Sequence, residues 1–143
     1  MQRYISCVGI DRQETTMPLI RISLKKGTSQ AHRAAIADGV YEALRETFNV
    51  PENDRFVTIH EHGDGDFIYD PTYMNIQRSD GLVIIQATVS NTRDRAQKQA
   101  LYKRIVEKLG KDPGVRPEDV FINLIEVLPE NWSFGHGVAQ YVT

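Results

Sequence analysis

The stretch PLIRISLKKGTSQAHRAAIADGVYEALRETFNVPENDRFVTIHEH, residues 18–62, is matched 65 positions later by VIIQATVSNTRDRAQKQALYKRIVEKLGKDPGVRPEDVFINLIEV, residues 83–127. Under that offset Ile20, Ile22 and Leu24 fall on Ile85, Ala87 and Val89, while Ile36, Val40 and Leu44 fall on Leu101, Ile105 and Leu109. Val50 falls on Val115, Asp54 on Asp119, Phe56 on Phe121 and Glu61 on Glu126. The register runs through strand, helix, turn and strand without a gap, which marks an internal duplication.

Each copy reads as a β-α-β unit. Residues 18–24 alternate apolar and polar side chains with β-branched residues among them, the pattern of a strand. KKGT is a turn, after which Thr28 or Ser29 can cap a helix. Over 30–47 the apolar residues recur four apart and make one stripe. Val50-Pro51 closes that helix, because the residue before a proline is pushed out of the α region. RFVTIHEH, 55–62, is the second strand. In the second copy LVIIQATVS, 82–90, is apolar almost throughout and therefore central. Thr92 is the expected cap of the second helix, KDPGVRPED is a turn, and VFINLIEVL, 120–128, is the fourth strand. Between the copies, GDGDFIYDPTYMNIQRSDG at 63–81 predicts a loop with a short β-ribbon over a site, with Phe67, Tyr69 and Tyr73 placed to close over a ligand.

These readings define an α+β fold. Two β-α-β repeats form a four-stranded mixed sheet with two helices on one face, plus the short β-ribbon and an aromatic, glycine-rich tail, PENWSFGHGVAQYVT. The opposite sheet face has no cover, so the chain is expected to oligomerise through it.

Composition narrows the function classes. The chain has 143 residues, a net charge of -2 and 41% hydrophobic residues, which suits one soluble domain. Lysines and arginines are scattered, so no basic stripe points to nucleic acid. No stretch is long enough to span a bilayer, and the N-terminus MQRYISCVGIDRQETT lacks the apolar run of a signal peptide. A single cysteine, Cys7, excludes an intrachain disulfide and a zinc cluster. The expected setting is the cytoplasm, with no cofactor and no metal.

A Met-Pro step at 17–18 followed by a short amphipathic strand and a β-α-β duplication resembles the tautomerase superfamily, with its 4-oxalocrotonate tautomerase-like fold. The segments MPLIRISL at 17–24, FNVPENDRFVTIHEH at 48–62, TRDRAQKQALYK at 92–103, PEDVFINLIE at 117–126 and NWSFGHG at 131–137 are similar to its malonate semialdehyde decarboxylase branch. The resemblance implies that residues 18–143 form the domain and that residues 1–17 are an N-terminal extension absent from a mature chain starting at Pro18. It also implies a homotrimer and a small carboxylate substrate.

It makes Pro18 the catalytic amine. A terminal amine titrates near ~8 in water, and an apolar pocket with neighbouring cations moves it lower, where it can carry a proton at neutral pH. Within an uninterrupted chain the same nitrogen is an amide, and Pro18 would only begin a strand. Arg93 is read in the first turn of the second helix, where a cation opposes the helix dipole but can bind a carboxylate. Arg95 beside it is read as a solvated charge. The branch carries a second arginine at the place of Asn91, so one anion contact is missing here. Asp54 is the carboxylate the resemblance assigns to a water or the substrate, yet aspartate is also ordinary turn chemistry and Asp119 repeats it. Trp132 and Phe134 are the expected substrate-binding walls, which is equally a packing role. His60 and His62 share one face of a strand and suit an interface or core role better than a metal site. His136 has no evident partner.

The expected activity is proton transfer on a small oxo- or enol-acid, with keto–enol tautomerisation first. Decarboxylation or hydration like that of malonate semialdehyde decarboxylase is the alternative. A catalytically silent oligomeric binding protein is the other reading, in which the extension blocks the proline and RYISCVGI, 3–10, adds an edge strand.

Overall fold

A computed structural model describes residues 17–142 of the chain. RYISCVGI at 3–10, the candidate edge strand, lies outside the described residues. Strand β1 is Leu19–Lys25, helix α1 Gln30–Phe48, strand β2 Val57–His62, strand β3 Val83–Ser90, helix α2 Arg95–Lys111 and strand β4 Val120–Val127. The sheet order is β2-β1-β3-β4. β1 pairs parallel with β2, β3 parallel with β4, and β1 antiparallel with β3. The duplication is therefore physical: each copy is a parallel β-α-β unit, and the copies join through their first strands. Arg21 lies opposite Gln86, its own repeat partner, with Ile20–Ala87 and Ile22–Ile85 on either side.

One sheet face and the two helix stripes form the core. Ile20, Ile22 and Leu24 of β1 and Val83, Ile85, Ala87 and Val89 of β3 are buried against Ile36, Val40, Leu44, Leu101, Ile105 and Leu109. Each such Ile, Leu or Val contributes about 1.5–3 kcal/mol by leaving water. α1 and α2 cross closely at Gly39, where a Cβ would meet Leu109 Cδ2 at 2.7 Å. That close approach is why a helix-weakening glycine sits in mid-helix.

The other face carries residues of opposite parity. Its rows run Leu19–Thr88–Ile125, then Thr58–Arg21–Gln86–Asn123, then His60–Ser23–Ile84–Phe121. Phe121 and Ile125 are 45% and 41% exposed. The open, partly apolar face predicted from the repeat is present in the single chain.

Three local readings need correction. The segment 63–81 holds no β-ribbon. It folds around a 3-10 turn at Tyr73–Asn75, with Arg78 Nη1 donating to the Tyr73 carbonyl at 2.8 Å. Its aromatics stand at the far end of the sheet from Pro18: Phe67 stacks on His62, and Tyr69 donates to Asp80, which pairs with Lys25. They close over nothing at the Pro18 end of this chain. The cap of α2 is Asp94, not Thr92: Asp94 and Gln97 exchange hydrogen bonds in a capping box. Arg93 therefore precedes the cap and lies outside the helix. α1 stops at Phe48, and Asn49 in the left-handed region ends it before the proline acts.

Candidate active site

The N-terminal end of β1, the turn after α1, the end of β3 and the C-terminal tail meet at one edge of the domain. Pro18 is buried there, just before β1 begins at Leu19. Met17, also buried, donates its backbone N–H to the Tyr141 hydroxyl at 3.3 Å. A cleft of about 460 Å³ opens beside them, lined by Met17, Pro51, Asp54, Phe56, Phe134 and Tyr141 among others.

Asp54 is held by the VPEND turn. Its N–H donates to the Pro51 carbonyl at 3.3 Å, and the Tyr41 hydroxyl pins the same turn, 2.6 Å from the carbonyls of Pro51 and Glu52. One carboxylate oxygen of Asp54 is buried and accepts no hydrogen bond. Burial pushes this carboxyl up to about 6, against the pull of the Arg93 guanidinium. Its repeat partner Asp119 is 2% exposed and fully engaged. Asp119 accepts from the Ser79 N–H at 2.8 Å, the Ser79 hydroxyl at 2.6 Å and Arg116 Nη1 at 3.3 Å. The same turn residue is structural in one copy and unpaired in the other.

Arg93 reaches back to the C-terminal end of α1. Nη2 donates to the Phe48 carbonyl and Nη1 to the Thr92 hydroxyl, each at 2.6 Å, and the guanidinium lies 4.8 Å from the Phe48 ring centre. A cation at a helix C-terminus satisfies carbonyls the helix leaves open, so the position is favourable rather than opposed by a dipole. Burial lowers the Arg93 pKa, while Tyr141 and Asp54 raise it. An arginine stays charged under such a shift, so a buried cation, with part of its donor fork already used, lies within electrostatic reach of Asp54 and Tyr141 behind the cleft lining.

Trp132 and Phe134 stack with ring centres 5.4 Å apart, and Phe134 meets the edge of Tyr141 at 4.8 Å. Trp132 Nε1 donates to the Ser90 hydroxyl at 3.1 Å, which ties the ladder of rings to the buried end of β3. Phe134 lines the main cleft, while Trp132 lines an adjoining one of about 500 Å³ that shares Met17, Phe56 and Phe134. His60 and His62 lie on the open sheet face. Among the described residues no group of three or more His, Cys, Asp or Glu is placed to hold a metal ion, and no helix is long and apolar enough to cross a membrane.

A family model described as a tautomerase enzyme matches residues 54–135, and a second with the same description matches residues 18–77. The chain belongs to the tautomerase family. It is 38% identical over 126 residues to the probable tautomerase YusQ of Bacillus subtilis, covering 88% of this chain and 99% of that one. Among solved structures it is 41% identical to FG41 malonate semialdehyde decarboxylase inhibited by 3-bromopropiolate, with a TM-score of 0.81 and coverage of 87% and 94%. A malonate semialdehyde decarboxylase with decarboxylase and hydratase activities is 32% identical, with a TM-score of 0.80 and coverage of 86% and 95%. Within the tautomerase superfamily the chain falls with the malonate semialdehyde decarboxylase branch.

The cleft-lining residues that sequence reasoning did not assign to a site are Met17, Pro51, Asn53, Phe56, Gln140 and Tyr141. Phe56 carries a sequence signal, since Phe121 repeats it. Tyr141 carries none: it belongs to no motif, and only the folded tail brings it to Met17, 124 positions away in the chain.

Proposed function

We propose that the domain beginning at Pro18 is a cofactor-free enzyme that tautomerises a small oxo- or enol-carboxylic acid. The observation that carries this reading is the unpaired, half-buried Asp54 carboxylate in a cleft beside Arg93 and the start of β1. A chain starting at Pro18 has a secondary amine at that edge in place of the Met17 peptide. Arg93 holds the substrate carboxylate through donors not engaged by Phe48 and Thr92. The amine takes the proton of the enol hydroxyl and delivers one to the adjacent carbon, giving the keto acid with no other atom gained or lost. Asp54 orients the reacting group or a water, and Phe56, Phe134 and Trp132 limit the access of solvent. Start of the family match on residue 18 supports the assignment of Pro18.

The alternative reaction, decarboxylation or hydration of a small keto acid, is supported by the two malonate semialdehyde decarboxylases among its relatives. Asn91 stands where that branch carries a second arginine, which leaves tautomerisation, needing one base and one anion anchor, as the first choice. The open sheet face is read as the interface of a homotrimer, with its central polar row and flanking Leu19, Phe121 and Ile125.

The test is ketonisation of phenylenolpyruvate by a version made to begin at Met17, compared with its Pro18→Ala counterpart. A loss of about 100-fold or more in kcat is expected, within the usual range for a positioned acid–base group. Equal rates overturn the reading.

A further inference from the structure

The two copies close the same turn in different ways. In each, the aspartate N–H donates to the carbonyl three residues earlier: Asp54 to Pro51 at 3.3 Å and Asp119 to Arg116 at 2.9 Å. In the second copy the Asp119 carboxylate then ties the turn to Ser79 and to the Arg116 side chain. In the first copy one oxygen of the Asp54 carboxylate is buried with no hydrogen-bond partner among the described residues. Another group has to hold that turn.

That group is Tyr41 of α1. Its side chain is buried, and its hydroxyl lies 2.6 Å from the carbonyls of both Pro51 and Glu52. A phenol has one proton, so the two carbonyls share it. The Pro51 carbonyl has two lone pairs and accepts from Tyr41 and from the Asp54 N–H together. A single carbonyl thus links Tyr41 to the Asp54 main chain. The outer side of the turn is fixed as well: the Arg55 guanidinium lies 5.1 Å from the Tyr41 ring centre and pairs with Asp38, one turn earlier on α1.

The repeat shows that the fold does not require this clamp. At the 65-residue offset Asp38, Tyr41 and Arg55 fall on Lys103, Val106 and Val120. Valine offers no hydroxyl and no cation, yet the second copy forms the same helix, turn and strand. The clamp stands in the copy whose aspartate lines the cleft. We propose that Tyr41 is a positioning residue, which takes over the structural role of the aspartate side chain in the second copy and so leaves the Asp54 carboxylate free to act on substrate.

This inference rests on the proposed role of Asp54 in an enzyme that begins at Pro18. Tyr41 is not part of the cleft lining, so it acts through the turn. A buried carboxylate oxygen without a partner is costly and swings toward water if its backbone can follow. Tyr41 prevents that movement by fixing the two carbonyls just before Asp54. The charged and titratable groups around Asp54 are Arg93 from the loop before α2, the Tyr141 phenol from the tail and the amine of Pro18. All of them remain in Tyr41→Phe, so a change in the acid limb of activity reports movement of Asp54 itself.

The experiment is a double-mutant cycle in phenylenolpyruvate ketonisation. It compares the parent, Tyr41→Phe, Asp54→Asn and the double variant, with Pro18→Ala as reference, all made to begin at Met17. The whole length of YusQ aligns with 126 residues of this chain, so a domain of that size stands as a complete relative. Phenylalanine keeps the ring under Arg55 and removes only the hydroxyl. The expected result is a kcat about 5- to 20-fold lower, with KM changed less than about threefold and the acid limb moved to lower pH as Asp54 gains water. In the Asp54→Asn background the same change should alter kcat less than about twofold, because a residue that acts through Asp54 has nothing left to position. Arg55→Met, a change on the exposed side of the clamp, should give a smaller fall in kcat that likewise vanishes without Asp54. If Tyr41→Phe leaves kcat within about twofold of the parent, or lowers it equally with and without Asp54, while Pro18→Ala is inactive, the role of Tyr41 is overturned and the proline reading stands. If the parent is no faster than Pro18→Ala, the proline reading falls and this inference falls with it.

Discussion

Asp54 and Asp119 occupy the same turn in the two copies of the repeat, and only Asp119 has its carboxylate paired. The fold therefore explains Asp119 without any chemistry and does not explain Asp54. Asp119→Asn should destabilise the domain by about 1–3 kcal/mol, because it replaces a buried acceptor serving three donors. Asp54→Asn should do the opposite at neutral pH. A folded-state pKa raised from 3.8 to about 6 means that ionisation costs stability, a cost absent below about pH 4, growing between about pH 4 and 6 and constant above that. With solvent screening at this half-exposed site the gain from Asp54→Asn is on the order of 1 kcal/mol at pH 8 and vanishes at pH 4. Thermal melts of both variants at the two pH values check the pair.

The same carboxyl sets an acid limb for activity. Asp54 is about half protonated at pH 6 and ionised by pH 7.5. If its carboxylate orients the reacting group, kcat should rise from pH 5 to pH 7.5 with a midpoint near 6. In Asp54→Asn that limb should disappear, leaving a lower and flatter profile.

Arg93 combines a structural and a binding role, and the two separate by substitution. Arg93→Lys keeps the charge but loses the fork that reaches both Phe48 and Thr92. It should cost about 1–2 kcal/mol of stability through the Phe48 carbonyl and ring, and raise KM for a carboxylate substrate about tenfold or more. Denaturant unfolding and steady-state kinetics read the two effects independently.

The open sheet face should be an interface. Placing lysine at Phe121 or glutamate at Ile125 puts a charge at an exposed apolar position of the open face without touching the helix-side core. Sedimentation should then show dissociation toward the single chain, while the far-ultraviolet circular dichroism stays unchanged. A wild-type protein that sediments as a single chain contradicts the interface.

The architecture was legible because the repeat constrains it twice. Arg21 and Gln86 correspond in sequence and then face each other across the β1–β3 pair. Ser29 caps α1 as the sequence allowed, but the cap of α2 was less legible, since Thr92 and Asp94 both have capping side chains and only the three-dimensional path selects Asp94 with Gln97. Arg93 was singled out for a dipole conflict that does not exist; its partner is the carbonyl of Phe48, 45 residues earlier, which no local pattern reveals. The loop 63–81 has the composition of a β-ribbon, but it curls around the Arg78 side chain at the wrong end of the sheet. Tyr141 needed the tail to fold before its place was visible.

The claim on which the chemistry depends is that Pro18 is a free amine in the working protein. Intact mass spectrometry of the protein purified from its native host tests it directly. The account predicts the mass of a chain that begins at Pro18. A chain that retains residues 1–17 would contradict it, because the proline nitrogen would then be an amide beside the Met17 peptide in the cleft.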